Sequence, residues 1–305
     1  MPESDAFLYG RFLPVSQAAI SIADAGFVLG VTATEQLRTF GGKLFRLDDH
    51  LRRLGRTLEI LGVNPGMSLA EIGRTAEKLA ARNHPLLTPG DDLGLGIFVT
   101  PGPYSTLAAL APPGPVVGIY TVPLPFHHWA ATYKQGQALR TTAIEQVSEK
   151  CWPRELKVRS RVHYFLADRQ AAAAEPGARA ILLDRDGFLT EATTANLLIY
   201  NASEGLLTPP TAKVLPGITL SVVKELAEAE GIPFHERDLL SEELAQSDEA
   251  FLCSTSSCVL PVSRLNSLPI GSGAPGPIFR RLLSAWNRLA GFDVVAQAHA
   301  FSQRK

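Results

Sequence analysis

The stretch Gly187-Phe-Leu-Thr-Glu-Ala-Thr-Thr-Ala-Asn196 places one acidic residue, Glu191, next to a turn rich in threonine. Apolar runs lie on both sides of it, at Ala180-Ile-Leu-Leu183 and Leu197-Leu-Ile-Tyr200. Short apolar runs bounded by turn residues are typical of buried strands. The sequence therefore predicts a glutamate at the junction between a strand and a turn, inside a sheet with a buried face.

A second stretch, Glu155-Leu-Lys-Val-Arg-Ser-Arg-Val-His-Tyr164, carries Lys157 just before a helix predicted from Ser160 to Ala174. A lysine amine can form a Schiff base with an aldehyde, and a carboxylate can keep a pyridine nitrogen protonated so that the ring withdraws electrons. Lys157 and Glu191 together predict pyridoxal phosphate chemistry. The alternatives are a surface lysine beside Glu155 and a solvated turn glutamate.

The composition excludes several classes of protein. The chain has 305 residues, 46% of them hydrophobic and 19% charged, with a formal net charge of -1. We therefore expect a globular protein with two domains and no general attraction to nucleic acid or to membranes. Cys151, Cys253 and Cys258 lack metal-ligand spacing and fit buried thiols in a reducing compartment. Together with an acidic N-terminal segment, they predict a cytoplasmic protein without a metal.

A proline-rich run, Pro123-Leu-Pro-Phe-His-His128, predicts a break between domains. We expect an N-terminal α/β domain at 1–122 and a linker at 123–131. A C-terminal α/β domain at 132–305 would then carry Lys157.

The N-terminal half contains clear signals for a turn and for helix starts. Thr39-Phe-Gly-Gly-Lys-Leu-Phe45 predicts a hairpin whose turn is the glycine pair. Asp48 is expected to cap a helix that extends through Leu61. Ser68 and Glu71 form the pattern of a capping box for a helix reaching about Asn83.

Two further helices are predicted in the C-terminal half, and the one that begins at Gly217 has a start suited to phosphate. Gly217 opens a helix to about Glu230, and Pro275 opens a last helix through about Leu289. The free N–H groups at a helix start attract anions. Thr219, inside the first of these helices, and Thr255, in a run of small hydroxyl residues, can add hydroxyl donors. This pattern predicts a phosphate seat.

Six sequence blocks, in order, resemble the class IV aminotransferases, the fold-type IV pyridoxal phosphate enzymes. They extend over residues 23–290 and are Thr34-Glu-Gln-Leu-Arg38, His50-Leu-Arg-Arg-Leu54, Lys157 with its following helix, Thr190-Glu-Ala-Thr-Thr-Ala-Asn196, Leu215-Pro-Gly-Ile-Thr219 and Ser254-Thr-Ser-Ser-Cys-Val-Leu-Pro-Val262. The resemblance implies a two-domain α+β fold like that of D-amino acid aminotransferase, with the cofactor in the interdomain cleft. It also implies a homodimer.

The same resemblance implies roles for individual residues. Lys157 would be the Schiff-base lysine and proton shuttle, and Glu191 the partner of the pyridine nitrogen. The last arginine of the His-x-x-Arg-Leu block, Arg53, would bind the phosphate. The other residues implied in cofactor binding are Ile218, Thr219 and Thr255.

The chain departs from the family at several pocket positions. Leu29 and Thr34 stand where relatives carry aromatic residues, and Pro101 stands where an arginine is common. Val162 replaces a tyrosine five residues after the lysine. Arg159 and Arg161 are unusual for this block, and we expect Arg159, Arg161 or backbone N–H groups to hold a substrate carboxylate.

Two residues near the start of the resemblance bear on the reaction. Glu35 occupies a position where aminotransferases have glutamate and the lyase group has threonine, and Arg38 matches an arginine of branched-chain enzymes. A salt bridge across a strand face is the alternative explanation for both.

The predicted activity is transamination between an amino acid and a 2-oxo acid. Apolar residues at Leu29, Val31 and Val162 predict a branched-chain-like amino acid. D-amino acid transamination is an alternative, as is elimination of the aminodeoxychorismate lyase type, against which Glu35 argues. A cofactor-binding relic without turnover is a further alternative.

Overall fold

The computed structural model describes residues 3–304, which form two compact units. The first unit contains the described residues up to Leu124 together with Glu155–Ser160, and the second contains Pro125–Arg154 and the described residues from Arg161 onward. The segment that carries Lys157, expected in the C-terminal domain, thus packs with the first unit. The domain bounds 1–122 and 132–305 stay a prediction.

Within residues 3–304, the first unit forms a six-stranded antiparallel sheet with the strand order β2-β1-β6-β5-β3-β4. Its strands are β1 (Asp5–Leu8), β2 (Arg11–Pro14), β3 (Ala33–Phe40), β4 (Lys43–Leu44), β5 (Leu93–Thr100) and β6 (Val116–Pro123). The predicted hairpin is confirmed, since Phe40 pairs with Lys43. Gly41 and Gly42 form its turn with φ values of 57° and 80°, which glycine adopts without strain.

Two long helices cover one face of this sheet. The helices of the unit are α1 (Ala25–Val28), α2 (Leu47–Leu61) and α3 (Leu69–Asn83). Leu54 of α2 and Leu79 of α3 pack in one buried cluster with Leu37, Leu95 and Ile97 of the sheet. Burying such side chains stabilises the unit by about 1.5–3 kcal/mol each.

The helix starts follow the sequence in one case and depart from it in the other. Ser68 and Glu71 form the predicted capping box at α3, with each side chain bonded to the other's backbone N–H. Asp48 does not cap α2, because Arg46 occupies the cap in a left-handed conformation. Asp48 instead lies in the first turn of α2, where its charge still favours the helix dipole.

The second unit is a sheet that closes on itself. Its strands are β7 (Gln137–Thr141), β8 (Arg179–Leu183), β9 (Leu189–Ala192), β10 (Ala195–Asn201), β11 (Gly205–Thr208), β12 (Phe234–Glu236), β13 (Glu249–Ser254), β14 (Cys258–Leu265) and β15 (Leu268–Pro269). Because β9 pairs with both β8 and β10, the described strands β10, β13, β14, β7, β8 and β9 make a continuous ring. A closed ring leaves these strands without open edges.

The helices of this unit are α4 (Thr132–Gln135), α5 (Val162–Ala174), α6 (Ile218–Ala229), α7 (Ser241–Gln246), α8 (Pro277–Ala290) and α9 (Val294–Phe301). The helices predicted from Gly217 and from Pro275 are confirmed as α6 and α8, with Gly217 at the cap of α6. The expectation that α8 is the last helix is wrong. Asp293 caps α9 by accepting hydrogen bonds from the N–H groups of Val295 and Ala296. Across residues 3–304, no helix combines the length and the apolarity that crossing a bilayer requires.

The three cysteines are free thiols in different environments. Cys253 and Cys258 are buried, and burial raises the pKa of Cys253. Cys151 is exposed, so the expectation of a buried thiol is wrong for this residue.

Candidate active site

The lysine segment is held by the first unit as a short extension of its sheet. The Thr34 N–H donates to the Lys157 carbonyl at 3.0 Å, and the Arg159 N–H donates to the Thr32 carbonyl at 3.0 Å. The Lys157 N–H also donates to the Thr57 hydroxyl on α2, at 3.3 Å. The backbone on both sides of the lysine is therefore fixed, which is what a positioned nucleophile or base requires.

A buried carboxylate lies at the centre of a charged cluster in the same unit. Arg53 donates to both oxygens of Glu35, from Nε to Oε1 and from Nη2 to Oε2, at 2.8 Å each. Nδ1 of His50 lies 2.7 Å from Oε2. Burial opposes ionisation of Glu35, but Arg53 and His50 outweigh it and lower its pKa to about 2. An ionised carboxylate can only accept, so Nδ1 of His50 carries the proton.

The spacing of α2 brings this cluster close to the lysine segment. His50, Arg53 and Thr57 are three and four residues apart and therefore share one helix face. The first two bind Glu35 of β3, and the third binds the backbone of Lys157. The positive charge of Lys157 also helps to lower the pKa of Glu35. Arg53 and Lys157, both predicted site residues, are thus organised by one helix.

In the second unit, Glu191 is a buried carboxylate held at both oxygens. Oε1 accepts from the side-chain amide of Gln146 and from the Tyr164 hydroxyl, each at 2.8 Å, and Oε2 accepts from the Leu215 N–H at 3.3 Å. Its exposed fraction is 5%. Glu191 lies within β9, although the sequence predicted a position after the strand. Burial, together with the charge of Glu191, raises the pKa of Tyr164, so the phenol stays protonated and donates.

The start of α6 is shaped by a close contact that requires glycine. The Asn196 side-chain amide donates to the Leu215 carbonyl at 3.0 Å and fixes the segment before the helix. A Cβ on Gly217 would lie 1.9 Å from Oδ1 of Asn196. Because a glycine cap has no side-chain acceptor, it leaves the first-turn N–H groups of α6 to other acceptors.

A different helix start in the same unit makes the contrast clear. At α8, the buried carboxylate of Glu249 accepts hydrogen bonds from the N–H groups of Ile278 and Phe279, at 2.8 and 2.9 Å. The first turn of α8 is therefore satisfied by the protein's own anion, whereas the cap residue of α6, Gly217, makes no side-chain hydrogen bond to the first turn with Ile218 and Thr219. Thr219 is buried there.

Strand register brings Thr255 to the same end of the second sheet as Glu191. Asn196 pairs with Glu191 on one side and with Cys253 on the other. Thr255 follows Cys253 by two residues and lies in the turn between β13 and β14. Glu191, Asn196, the start of α6 and Thr255 thus lie at the same end of the strands of the second unit.

The predicted substrate residues have diverse environments. Leu29 and Val162 are exposed, while Thr34 is buried and donates from its hydroxyl to the Ile97 carbonyl at 3.1 Å. Arg38 is buried, and its guanidinium carbon lies 4.2 Å from the ring centroid of Phe40. Two further candidates remain, namely Arg159, which donates to the Tyr120 hydroxyl at 2.9 Å, and Arg161, which occupies the N-cap of α5.

Sequence reasoning missed several residues that hold the predicted ones. Tyr164 and Asn196 lie inside quoted sequence blocks, so their spacing from Lys157 and Glu191 was the available signal. Thr57 shares the helix face of Arg53, which helical periodicity could have indicated. Gln146 lies in an irregular segment, where no local pattern points to it.

Comparisons with known proteins agree with the architecture of the chain. The crystal structure of the Escherichia coli branched-chain amino acid aminotransferase superposes with a TM-score of 0.86 at 22% identity, covering 94% of this chain and 95% of that one. The branched-chain aminotransferase of the thermophilic archaeon Thermoproteus uzoniensis, solved with norvaline, gives a TM-score of 0.82 at 22% identity, covering 96% of this chain and 97% of that one. The expected two-domain α+β fold of fold-type IV is confirmed.

Sequence similarity adds the family to the fold. The D-alanine aminotransferase of Bacillus licheniformis is 31% identical over 280 residues, covering 90% of this chain and 93% of that protein. The family model described as amino-transferase class IV matches residues 32–265. On these grounds the chain belongs to the class IV aminotransferase family.

Proposed function

We propose that this aminotransferase uses pyridoxal phosphate to move an amino group from an amino acid with a branched apolar side chain to a 2-oxo acid. The observation that carries the proposal is the fixed backbone of Lys157, paired with β3 and bonded to Thr57. A lysine whose backbone is held by the same helix that presents Arg53 suits a cofactor with an aldehyde and a phosphate.

The residues fit the phosphate of this cofactor. Arg53 offers a guanidinium whose orientation is fixed by Glu35, and guanidinium groups bind phosphate oxygens strongly. The glycine-capped first turn of α6 offers backbone N–H donors from Ile218 and Thr219. Thr255 adds a hydroxyl. We propose that these four residues hold the phosphate.

The residues also fit the ring nitrogen. A buried carboxylate with fixed oxygens favours a protonated nitrogen as its partner. Gln146, Tyr164 and the Leu215 N–H hold Glu191 in one orientation. We propose that Glu191 keeps the proton on the pyridine nitrogen.

When bound, pyridoxal phosphate supplies an aldehyde and an electron-withdrawing ring for the electrons left at the substrate's α-carbon. Lys157 would remove the α-proton and return it, because a neutral amine is a base and the backbone of this lysine is fixed by β3 and Thr57. Glu35 and His50 do not take part in proton transfer, since the carboxylate stays ionised at neutral pH and the imidazole donates to it. Their role is to hold Arg53.

Apolar residues support the branched-chain substrate. By the family resemblance, Leu29 replaces an aromatic pocket residue, and Val31 lies two positions further on. D-amino acid transamination is a second candidate. It is supported by the D-alanine aminotransferases among the relatives, at 31% identity in Bacillus licheniformis.

A substrate panel separates these candidates. The purified enzyme would be loaded with pyridoxal phosphate and mixed with L- and D-amino acids, using 2-oxoglutarate and pyruvate as acceptors. We expect L-leucine or L-valine to change the cofactor's absorbance fastest. Faster reaction of D-alanine would favour the second candidate, and pyruvate release from aminodeoxychorismate without an acceptor would indicate elimination. If no donor changes the absorbance, the transamination proposal is wrong.

We also propose a homodimer in the cytoplasm. Family resemblance and exposed apolar residues near α1 support association, and the free thiols of Cys253 and Cys258 support a reducing compartment. Sedimentation at several protein concentrations tests the dimer, and fractionation of cells expressing the chain tests the compartment.

A further inference from the structure

The sheet of the first unit has a second face, opposite α2 and α3, on which glycines lie against aromatic rings. Leu95, Ile97 and Ile119 pack toward the helices, so alternation along the strands turns their neighbours to the other face. Those neighbours include Gly96 and Gly118, at which a side chain would collide with an aromatic ring. A Cβ on Gly96 would lie 2.4 Å from Tyr120, and one on Gly118 would lie 2.1 Å from Phe98.

The ring of Tyr120 therefore lies directly over Gly96, and the ring of Phe98 lies directly over Gly118. Register places Tyr120 beside Gly96, and Gly96 beside Gln36 of β3. Phe98 and Tyr120 have ring centroids 6.4 Å apart. Because the glycines at these positions have no side chain, the rings pack close to the backbone. This leaves space over the rings for a side chain from another segment.

The side chain of Arg159 reaches this face and contacts Tyr120. Its backbone N–H is bonded to the Thr32 carbonyl at the start of β3, and its Nη2 donates to the Tyr120 hydroxyl at 2.9 Å. The residue is nevertheless exposed. Tyr120 therefore fixes one edge of the guanidinium without covering the residue.

Arg159 contacts a phenol, whereas two other arginines of this unit form ion pairs with carboxylates. Arg53 pairs with Glu35 at 2.8 Å, and Arg56 pairs with Glu155 at 2.9 Å. The contact between Arg159 and Tyr120 is with a neutral phenol, which does not compensate the positive charge. An exposed guanidinium that is anchored by a tyrosine hydroxyl is suited to bind a carboxylate.

The position of Arg159 relative to Lys157 indicates which carboxylate. Val158 forms one antiparallel bridge with Ala33 of β3, so the side chains of Lys157 and Arg159 project from the other side, with their Cα atoms about 7 Å apart. Transamination changes the α-carbon, and the α-carboxylate is one bond from that atom. Pro101 supplies no cation at the position where the family resemblance places an arginine, whereas Arg159 carries one.

We propose that Arg159, oriented by Tyr120, binds the α-carboxylate of the amino acid and of the 2-oxo acid. This assignment rests on the proposed transaminase function and names the residue that holds its substrates. Arg159 is then a specificity-determining residue, and Tyr120 is a positioning residue that acts through it.

The test compares Arg159→Gln, Arg159→Lys and Tyr120→Phe with the wild-type holoenzyme. Arg52→Gln is the matched control, because Arg52 lies on α2 with 76% of its side chain exposed. The measurements are KM and kcat for the best amino donor and for both oxo acids. Calorimetry of the holoenzyme with propionate, an unreactive monocarboxylate, gives binding without turnover.

For Arg159→Gln we expect KM and the propionate dissociation constant to rise by roughly 10- to 100-fold, as for loss of a charged hydrogen bond. The value of kcat should change less. For Arg159→Lys, both constants should lie between those of the wild type and those of Arg159→Gln. Tyr120→Phe should raise both constants a few-fold. Arg52→Gln should have the same KM and propionate dissociation constant as the wild type. None of the variants should change the affinity for pyridoxal phosphate.

Several results would overturn the assignment. Unchanged propionate affinity in Arg159→Gln excludes carboxylate binding by this residue, even while transamination continues. A KM increase confined to dicarboxylic substrates assigns Arg159 to the distal carboxylate instead. If Arg159→Gln fails to fold, unchanged constants in both Arg159→Lys and Tyr120→Phe contradict the proposal. Absence of turnover in the wild type refutes the transaminase function, and propionate binding still decides the role of Arg159.

Discussion

The Glu35 carboxylate makes the first unit sensitive to acid. Its folded-state pKa is about 2, below the ordinary value of 4.5, so ionised Glu35 stabilises the folded protein. The difference corresponds to about 3 kcal/mol. Because the folded pKa is the lower one, this stabilisation is complete above pH 4.5 and is lost as the pH falls toward 2.

Glu35→Gln tests this directly. We expect a fall in the free energy of unfolding of about 3–5 kcal/mol at pH 7, because the partly buried Arg53 loses its counter-charge. Urea unfolding of both proteins at pH 7, 4.5 and 3 should show the difference shrinking with acid. Arg52→Gln, which breaks an exposed ion pair, should change stability by less than about 1 kcal/mol. A wild-type–variant difference that is independent of pH would contradict the assignment.

The role proposed for Glu191 depends on the charge of this side chain more than on its shape. Glu191→Gln keeps the size of the side chain and can still accept from Tyr164, but it removes the negative charge. If the carboxylate holds a protonated ring nitrogen, we expect kcat to fall by roughly 100-fold or more, since a buried charge pair contributes several kcal/mol. The pH dependence of the bound cofactor's absorbance should shift as well.

The control for this substitution is Tyr164→Phe. It removes one hydrogen bond to Glu191 and keeps the charge. We expect a loss of about tenfold or less. Equal losses in the two variants would mean that Glu191 acts by orientation and not by charge.

At the scale of elements, the start of α6 can be separated from other helix starts. Gly217→Ala would place a Cβ 1.9 Å from Oδ1 of Asn196, so the segment before α6 must shift. We expect a destabilisation of about 1–3 kcal/mol. The affinity of the apoenzyme for pyridoxal phosphate, measured by fluorescence titration, should fall by about tenfold or more as its phosphate donors move.

Gly276→Ala is the matched comparison. It also changes the cap of a helix, α8, and its Cβ would lie 2.2 Å from the Glu249 carboxyl carbon. It should cost similar stability, with cofactor affinity unchanged. If both variants lose affinity equally, the start of α6 has no special part in binding phosphate.

Local elements were predictable where one short pattern decides them. The glycine pair at Gly41 and Gly42 fixes a hairpin, and Ser68 with Glu71 fixes a helix start, because the interacting groups lie within a few residues. Asp48 was misjudged as a cap, since a left-handed Arg46 is not signalled by residue type. Helix α9 was missed because Gly291 ends α8 and the short segment that follows has little periodicity.

Contacts between distant segments were beyond sequence patterns. The pairing of Lys157 with β3 joins residues more than 100 positions apart, so no local signal assigns it to the first unit. Residue chemistry indicated Lys157 and Glu191 as site residues, the family resemblance added Arg53, and the roles of all three remain proposals. Glu35 bonds to Arg53 and Tyr164 bonds to Glu191 across different elements, and these contacts are seen only in the fold.

At the scale of the whole molecule, exposed apolar side chains point to association between copies. Ile22, Phe27 and Leu29 lie within eight residues, with exposed fractions of 74%, 67% and 55%. Clusters of this kind mark interaction surfaces, whereas single exposed apolar residues are ordinary. A homodimer, which the family resemblance implies, would cover the cluster.

Phe27→Asp tests this expectation, because a buried charge at an interface without a partner costs several kcal/mol. We expect the variant to sediment as a monomer at concentrations where the wild type is a dimer. Leu268→Asp is the control, since Leu268 has a similar exposed fraction of 68% but lies on β15, away from α1 in sequence. It should leave association unchanged. A Phe27→Asp protein that still sediments as a dimer would show that the surface around α1 is not the interface, and equal dissociation of both variants would indicate a general loss of structure.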